Sequence, residues 1–175
     1  ETLTPLDETP SNLFVGGTFS STWNAYLGTW TAHSEGDWSP VDGLITTTVS
    51  GDEIDIQYAD APAGDKGLVF IQGDPQNLTN YLASGKLEFE LYVDSYANNT
   101  TGLTVKMEGT KGTGPDHPLG AGLALGAWTP VSINLSDLGI DDKITSISKP
   151  FAILPAWGEA QGNVRFKVRN IRLVK

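Results

Sequence analysis

Apolar and polar side chains alternate with a period of two along much of this chain. In residues 86–94 (KLEFELYVD), Leu87, Phe89, Leu91 and Val93 fall on one side and Glu88, Glu90 and Tyr92 on the other. Leu103, Val105 and Met107 alternate with Thr104, Lys106 and Glu108, and Ile54, Ile56 and Tyr58 with Glu53, Asp55 and Gln57. Val131, Ile133 and Leu135 do the same with Ser132 and Asn134. Successive side chains of an extended strand point to opposite faces, so each segment predicts a strand with one face on a core and one in water. Residues 67–73 (GLVFIQG) are apolar without alternation and predict a strand covered on both faces.

The last strand changes phase. Val164, Phe166 and Val168 are apolar at even positions, whereas Ile171 and Leu173 are apolar at odd ones. A period of two absorbs that shift only through an extra residue, which predicts a β-bulge near Arg169 and Asn170. Helical signal is confined to residues 77–83 (NLTNYLA), enough for two turns, and one capped turn at 136–138 before Gly139. Short strands separated by Gly-, Pro- and Asn-rich turns argue for an all-β protein, an antiparallel β-sandwich with very little helix. We expect a single domain over 1–175, with 1–10 a frayed lead-in.

Composition narrows the function classes. The 175 residues include 11 basic and 21 acidic side chains, a formal charge of −10. That charge repels phosphate backbones and argues against a nucleic-acid partner. No apolar run approaches the roughly 20 residues of a membrane-spanning helix, so no membrane partner is expected. With no cysteine there is no disulfide framework, thiol nucleophile or Cys-ligated zinc site. The chain opens at Glu1 without Met or a visible leader, from which we expect a fragment of something larger.

The segments NLTNYLASGKLEFELYV, GAWTPVSINLSDLG and VRFKVRNIRLV, in that order, resemble the jelly-roll, galactose-binding-like modules attached to polysaccharide-degrading enzymes. The likeness covers about residues 68–174. More narrowly, the chain resembles the extra C-terminal domain of marine bacterial exo-1,3/1,4-β-glucanases of glycoside hydrolase family 3. The resemblance implies a carbohydrate-binding-module-like β-sandwich, secreted or periplasmic, packed beside the catalytic domains of the same polypeptide. Many such modules hold a structural calcium through an Asp just before the N-I-R-L segment. Here that place is Arg169, and Asp7 and Glu8 do not make up the six to eight oxygens calcium takes. No cofactor is expected, and a structural Ca²⁺ is the less favoured alternative.

The tryptophans carry the strongest functional signal. Trp23, Trp30 and Trp38 fall within sixteen residues, beside Tyr26, while Trp128 and Trp157 stand apart. Pyranose rings present apolar C–H faces that a flat indole covers at low entropic cost, and neighbouring polar groups fix the hydroxyls. Trp30, Trp38 and Trp157 lie in or beside loop-like sequence and are the candidates for sugar contact or for docking on a partner domain, with Asp37 as a polar neighbour. Trp128, next to a clean alternating strand, is expected in packing. Residues 109–122 (GTKGTGPDHPLGAG) read as a long irregular surface loop, whose Asp116 and His117 complete the candidate site.

Enzymatic readings find little support. Glu53 and Asp55 (EIDI) resemble the start of the E-x-D-x-x-E strand of jelly-roll β-glucanases, but the next places hold Gln57 and Tyr58, so the second glutamate of a retaining pair is missing. Glu88 and Glu90 share a face of a regular strand and read as solvated. Arg165, Lys167, Arg169 and Arg172 read as partners of the acidic strand faces. Only His33 and His117 are available for a triad or a zinc site, and the glycines of 109–122 do not form a phosphate loop. The expectation is a non-catalytic ancillary domain of a secreted exo-β-glucanase, packing on the catalytic part or contacting β-1,3/1,4-glucan. The competing reading is a stand-alone carbohydrate-binding or adhesion module.

Overall fold

The computed structural model describes residues 2–175. In chain order the strands are β1 (Ser11–Val15), β2 (Thr18–Phe19), β3 (Tyr26–Ala32), β4 (Ile45–Ser50), β5 (Glu53–Tyr58) and β6 (Lys66–Gln72). There follow β7 (Lys86–Ser95), β8 (Leu103–Gly109), β9 (Gly112–Thr113), β10 (His117–Gly120), β11 (Trp128–Asn134), β12 (Ile147–Pro155) and β13 (Arg165–Val174). Strand accounts for 51% of residues and helix for 6%. The helical segments are single 3₁₀ turns, at Thr79–Tyr81, Leu135–Leu138 and Asp141–Lys143. The expected two turns near 77–83 are thus one short turn. No helix among the described residues is long and apolar enough to cross a membrane.

The strands form two antiparallel sheets packed face to face. The first has the order β11-β7-β13-β1-β2, with β5 also on β13 and β4 on β5; the second runs β10-β8-β12-β6-β3, with β9 on β8. Each alternating segment read from the sequence is a strand, except that Leu135 opens a 3₁₀ turn after β11, and the apolar positions pack in the core between the sheets. Phe89 of β7 and Phe151 of β12 meet edge-on across the sandwich, with ring centroids 5.1 Å apart. Trp23 is fully buried, its indole N–H donating to Ser11 Oγ at 3.1 Å.

The phase change in β13 is a bulge. Residues 165–169 pair with β5, whereas Ile171–Leu173 pair with β1, and the register on β7 slips between Arg169 and Arg172. Asn170, between the two partners, takes a φ of 53°. The basic residues of β13 answer acids on both neighbours: Arg165–Asp55 at 2.9 Å, Lys167–Glu53 at 3.8 Å, Arg169–Glu90 at 3.1 Å and Arg172–Glu88 at 3.3 Å.

Two expectations need correction. Among the described residues of the lead-in, the stretch around Leu3 and Leu6 is held down: Leu6 is buried, its N–H donates to Asn77 O at 2.8 Å, and Asn77 Nδ2 donates to Leu3 O at 3.0 Å. The tether lies some 70 residues away in sequence, which is why local composition did not reveal it. The segment 109–122 is not irregular throughout, because β9 and His117–Gly120 both pair with β8. Pro118 is tolerated there since β10 is an edge strand, where a missing N–H costs no ladder bond.

The calcium alternative finds unsuitable residues at its expected place. Arg169 puts its guanidinium carbon 3.9 Å over the Trp128 ring and pairs with Glu90. Asp7 pairs with Lys175 at 3.3 Å, and Glu8 accepts from Ser11 Oγ at 2.6 Å. Among the described residues no three His, Asp or Glu side chains converge.

Candidate functional site

β6 explains why the second sheet carries a surface of its own. Val69 and Ile71 face the sandwich core, whereas Leu68 and Phe70 point the other way and join Ala152 and Leu154 of β12 in a separate apolar cluster on the outer face. The unbroken apolar run of 67–73 is the sequence signature of this two-sided burial. Trp157 packs on the cluster, and Trp30, opposite Leu68 in the ladder, stands beside it.

Three segments deliver the indoles. Trp30 projects from edge strand β3. Trp38 follows a tight turn closed by reciprocal backbone bonds between Ser34 and Asp37, both 3.1 Å, with Gly36 at a φ of 88° that favours glycine. That turn is tied back to β3 by the Val41 N–H donating to Thr31 Oγ1 at 2.9 Å. Trp157 sits on the loop after β12, anchored by the Ala156 N–H donating to Gly102 O at 2.8 Å. The buried Gln161 then locks this loop to β6: its Oε1 accepts from the Gly67 N–H and its Nε2 donates to Pro155 O, each at 2.7 Å.

The result is a cleft of about 490 Å³ with Trp30, Trp38 and Trp157 on its walls, together with Glu35, Lys66, Glu159 and Gln161. Trp30 and Trp38 lie 6.2 Å apart at 39°, and Trp30 meets Trp157 nearly edge-on at 6.4 Å and 84°. Trp38 is 57% exposed and Trp30 39%, while Trp157 is half-buried. Lys66 sets its ammonium 5.1 Å over Trp38 and pairs with Glu35 at 2.6 Å, and Lys106 lies 5.5 Å over Trp157. Cations over the rings fix their orientation at the quadrupole's negative face. Glu159 accepts from the Thr100 hydroxyl and from the Thr101 N–H at 2.8 Å; these bonds, Thr100's first, hold its carboxyl below the usual range. The cleft thus offers apolar ring surface, two carboxylates and an ammonium, a set suited to holding a polyhydroxylated ring.

The other candidates fall outside the cleft walls. Asp37 accepts from the Ser39 hydroxyl and from its N–H at 3.2 Å, which lowers its pKa and shapes the turn under Trp38. Asp116 reaches the site only through Lys106, at 3.7 Å from its ammonium. His117 stands opposite Val105 at the sheet edge and is not among the lining residues. Trp128 packs, as expected, but on the outer face of the first sheet, 5.4 Å from Tyr92 and beneath Arg169. Lys66, Glu159 and Gln161 had no local signal in the sequence; only the pairing of β6 and the loop after β12 brings them here.

No family profile and no curated protein matches the sequence. Solved structures match by shape. A β-1,2-glucanase from Parabacteroides distasonis superposes with a TM-score of 0.58 at 19% identity, over 95% of this chain and 25% of that one. The exo-1,3/1,4-β-glucanase from a Pseudoalteromonas species gives 0.58 at 15% identity, over 98% of this chain and 21% of that one. The family 30 carbohydrate-binding module of a cellulosomal cellulase from Clostridium thermocellum gives 0.59 at 11% identity, over 96% and 98%. This chain therefore spans a quarter or less of the two enzymes and nearly the whole of the module. At such identities the likeness is one of fold, and the fold is a carbohydrate-binding-module-like β-sandwich.

Proposed function

We propose that this chain is a non-catalytic ancillary domain of a secreted exo-β-glucanase, of the glycoside hydrolase family 3 kind that its sequence resembles, and that the tryptophan cleft contacts β-1,3/1,4-glucan. One observation carries the reading: three indoles from distant segments converge on a single open cleft, two of them exposed, with polar side chains between them. Exposed aromatic clusters on a folded surface mark binding or docking sites. Within a parent enzyme the same cleft lies beside the catalytic domains and shapes substrate approach. A second reading is a carbohydrate-binding module that uses the same cleft without packing on a catalytic domain; the match over 98% of the family 30 module, itself a unit of a cellulase, supports the chain being one whole module.

Calorimetric titration of the chain with mixed-linkage β-glucan and with laminarin tests the sugar contact. Trp30→Ala and Trp38→Ala should each weaken binding by roughly 1–3 kcal/mol, the scale for losing one stacked ring, with unchanged thermal unfolding. Iodide quenching of tryptophan fluorescence should fall in both variants. Unaltered affinity in both variants sinks the reading of this cleft as the sugar site. If the chain docks instead, the variants should leave the isolated chain unaffected and lower activity in the full-length enzyme.

A further inference from the structure

Aromatic surface continues on the outer face of the second sheet beyond the tryptophan cleft. β3 pairs with β6 without interruption, from Tyr26 opposite Gln72 to Ala32 opposite Lys66. Directly paired residues share a face, so Tyr26, Gly28 and Trp30 project on the side of Phe70 and Leu68, away from the sandwich core. Tyr26 is 50% exposed, more than Trp30, and its neighbour Leu27 makes the core contact of this stretch. Packing therefore gives no reason for an aromatic ring at 26.

Between Tyr26 and Trp30 the surface is filled from β6. A Cβ on Gly28 would come within 2.5 Å of Phe70 Cε2, so the absent side chain makes room for the Phe70 ring. Lys149 of β12 sets its ammonium 4.2 Å over that ring. Lys66 and Lys106 have carboxylate partners, whereas Lys149 has none among the described residues. Four residues of strand separate Tyr26 from Trp30 by about 13 Å. Along one strand edge the molecule thus carries two exposed rings with an unpaired ammonium between them, continuous with the cleft.

We propose that the binding track runs from the tryptophan cleft along β3 to Tyr26, which forms a second aromatic subsite for the same β-glucan chain, with Lys149 donating to sugar hydroxyls between the two. This rests on the reading of the cleft as a β-glucan site. A linear polymer of repeating rings is the occupant that suits it, since ring faces recur along such a chain at intervals while its hydroxyls meet the ammonium between them.

Titration with tri- and hexasaccharides of the cello- and laminari- series separates the two claims. The chain should bind at least one hexasaccharide more tightly than its trisaccharide. Tyr26→Ala should lower hexasaccharide affinity by about fivefold or more, the loss for one stacked ring, and leave the trisaccharide unchanged. Tyr26→Phe should retain the affinity, and Lys149→Ala should again weaken only the hexasaccharide. Thermal unfolding of each variant should match the parent chain, because Tyr26 lies outside the core. If Trp30→Ala weakens both lengths while Tyr26→Ala matches the parent chain, or weakens both lengths equally, the track is refuted and the cleft reading stands. If neither length binds, or Trp30→Ala changes nothing, the cleft reading falls and the track with it.

Discussion

Trp23 and Trp38 stand fifteen positions apart and meet opposite environments. Trp23 is sealed between the sheets with its N–H satisfied by Ser11, whereas Trp38 is the most exposed tryptophan of the cleft. Trp23→Ala should cost about 3–5 kcal/mol in denaturant unfolding, the range for a buried large-to-small change. Trp38→Ala should stay within about 0.5 kcal/mol, as surface changes do. Glu90 gives a pH-dependent case. Hydrogen bonds from Arg169 and then from Asn170 hold its carboxyl below the ordinary range. A depressed folded value means that the ionised group contributes stability above the unfolded pKa and loses it as pH falls through the folded one. The stability gap between the parent chain and Glu90→Gln should therefore be constant near neutrality and shrink once pH drops below about 4.3. A gap of the same size at pH 7 and pH 3 would contradict the assignment.

At the scale of elements, the bulge in β13 has a structural purpose. One continuous strand serves two partners on the same edge, β5 along its first half and β1 along its second. Asn170 takes the left-handed conformation where the partner changes. A β-branched residue is strained there, so Asn170→Val should destabilise by roughly 1–3 kcal/mol in chemical denaturation, with Asn170→Gly closer to the parent chain. The ion pairs flanking the bulge are partly exposed and contribute little individually, about 0–1 kcal/mol each. β3 shows the reverse economy. It is an edge strand whose outer face is left to Trp30 and Tyr26, with a glycine between them that Phe70 requires.

For the whole molecule, the carboxylates of β5 and of the cleft are each engaged by a neighbour. Glu53 and Asp55 of the EIDI stretch lie on the first sheet and are paired with Lys167 and Arg165. On the second sheet the cleft carboxylates are Glu35, engaged by Lys66, and Glu159, whose pKa is lowered rather than raised. A general acid for glycoside cleavage needs the opposite shift. The chain by itself should release no reducing sugar from mixed-linkage β-glucan or laminarin. Turnover above a boiled control that vanishes in Glu53→Ala or Glu159→Gln would overturn this.

Alternation in 86–94, 103–108 and 53–58, the unbroken run at 67–73 and the phase change before Ile171 were legible because each reports local geometry, the two-residue period of an extended chain. From these follow the β-sandwich, its bulge and the strand buried on both faces. The same local logic missed the contacts of Leu3 and Leu6 with Asn77 and of 109–122 with β8. Of the residues it named for the site, Trp30, Trp38 and Trp157 line the cleft, whereas Asp37, Asp116 and His117 lie outside its walls. What joins Trp157 to Trp30 across 127 positions is the pairing of β6 with both β3 and β12 and the buried amide of Gln161. Strand identity is written in neighbouring residues, but which strand edge meets which loop is set by long-range pairing and burial, and the cleft exists only at that meeting.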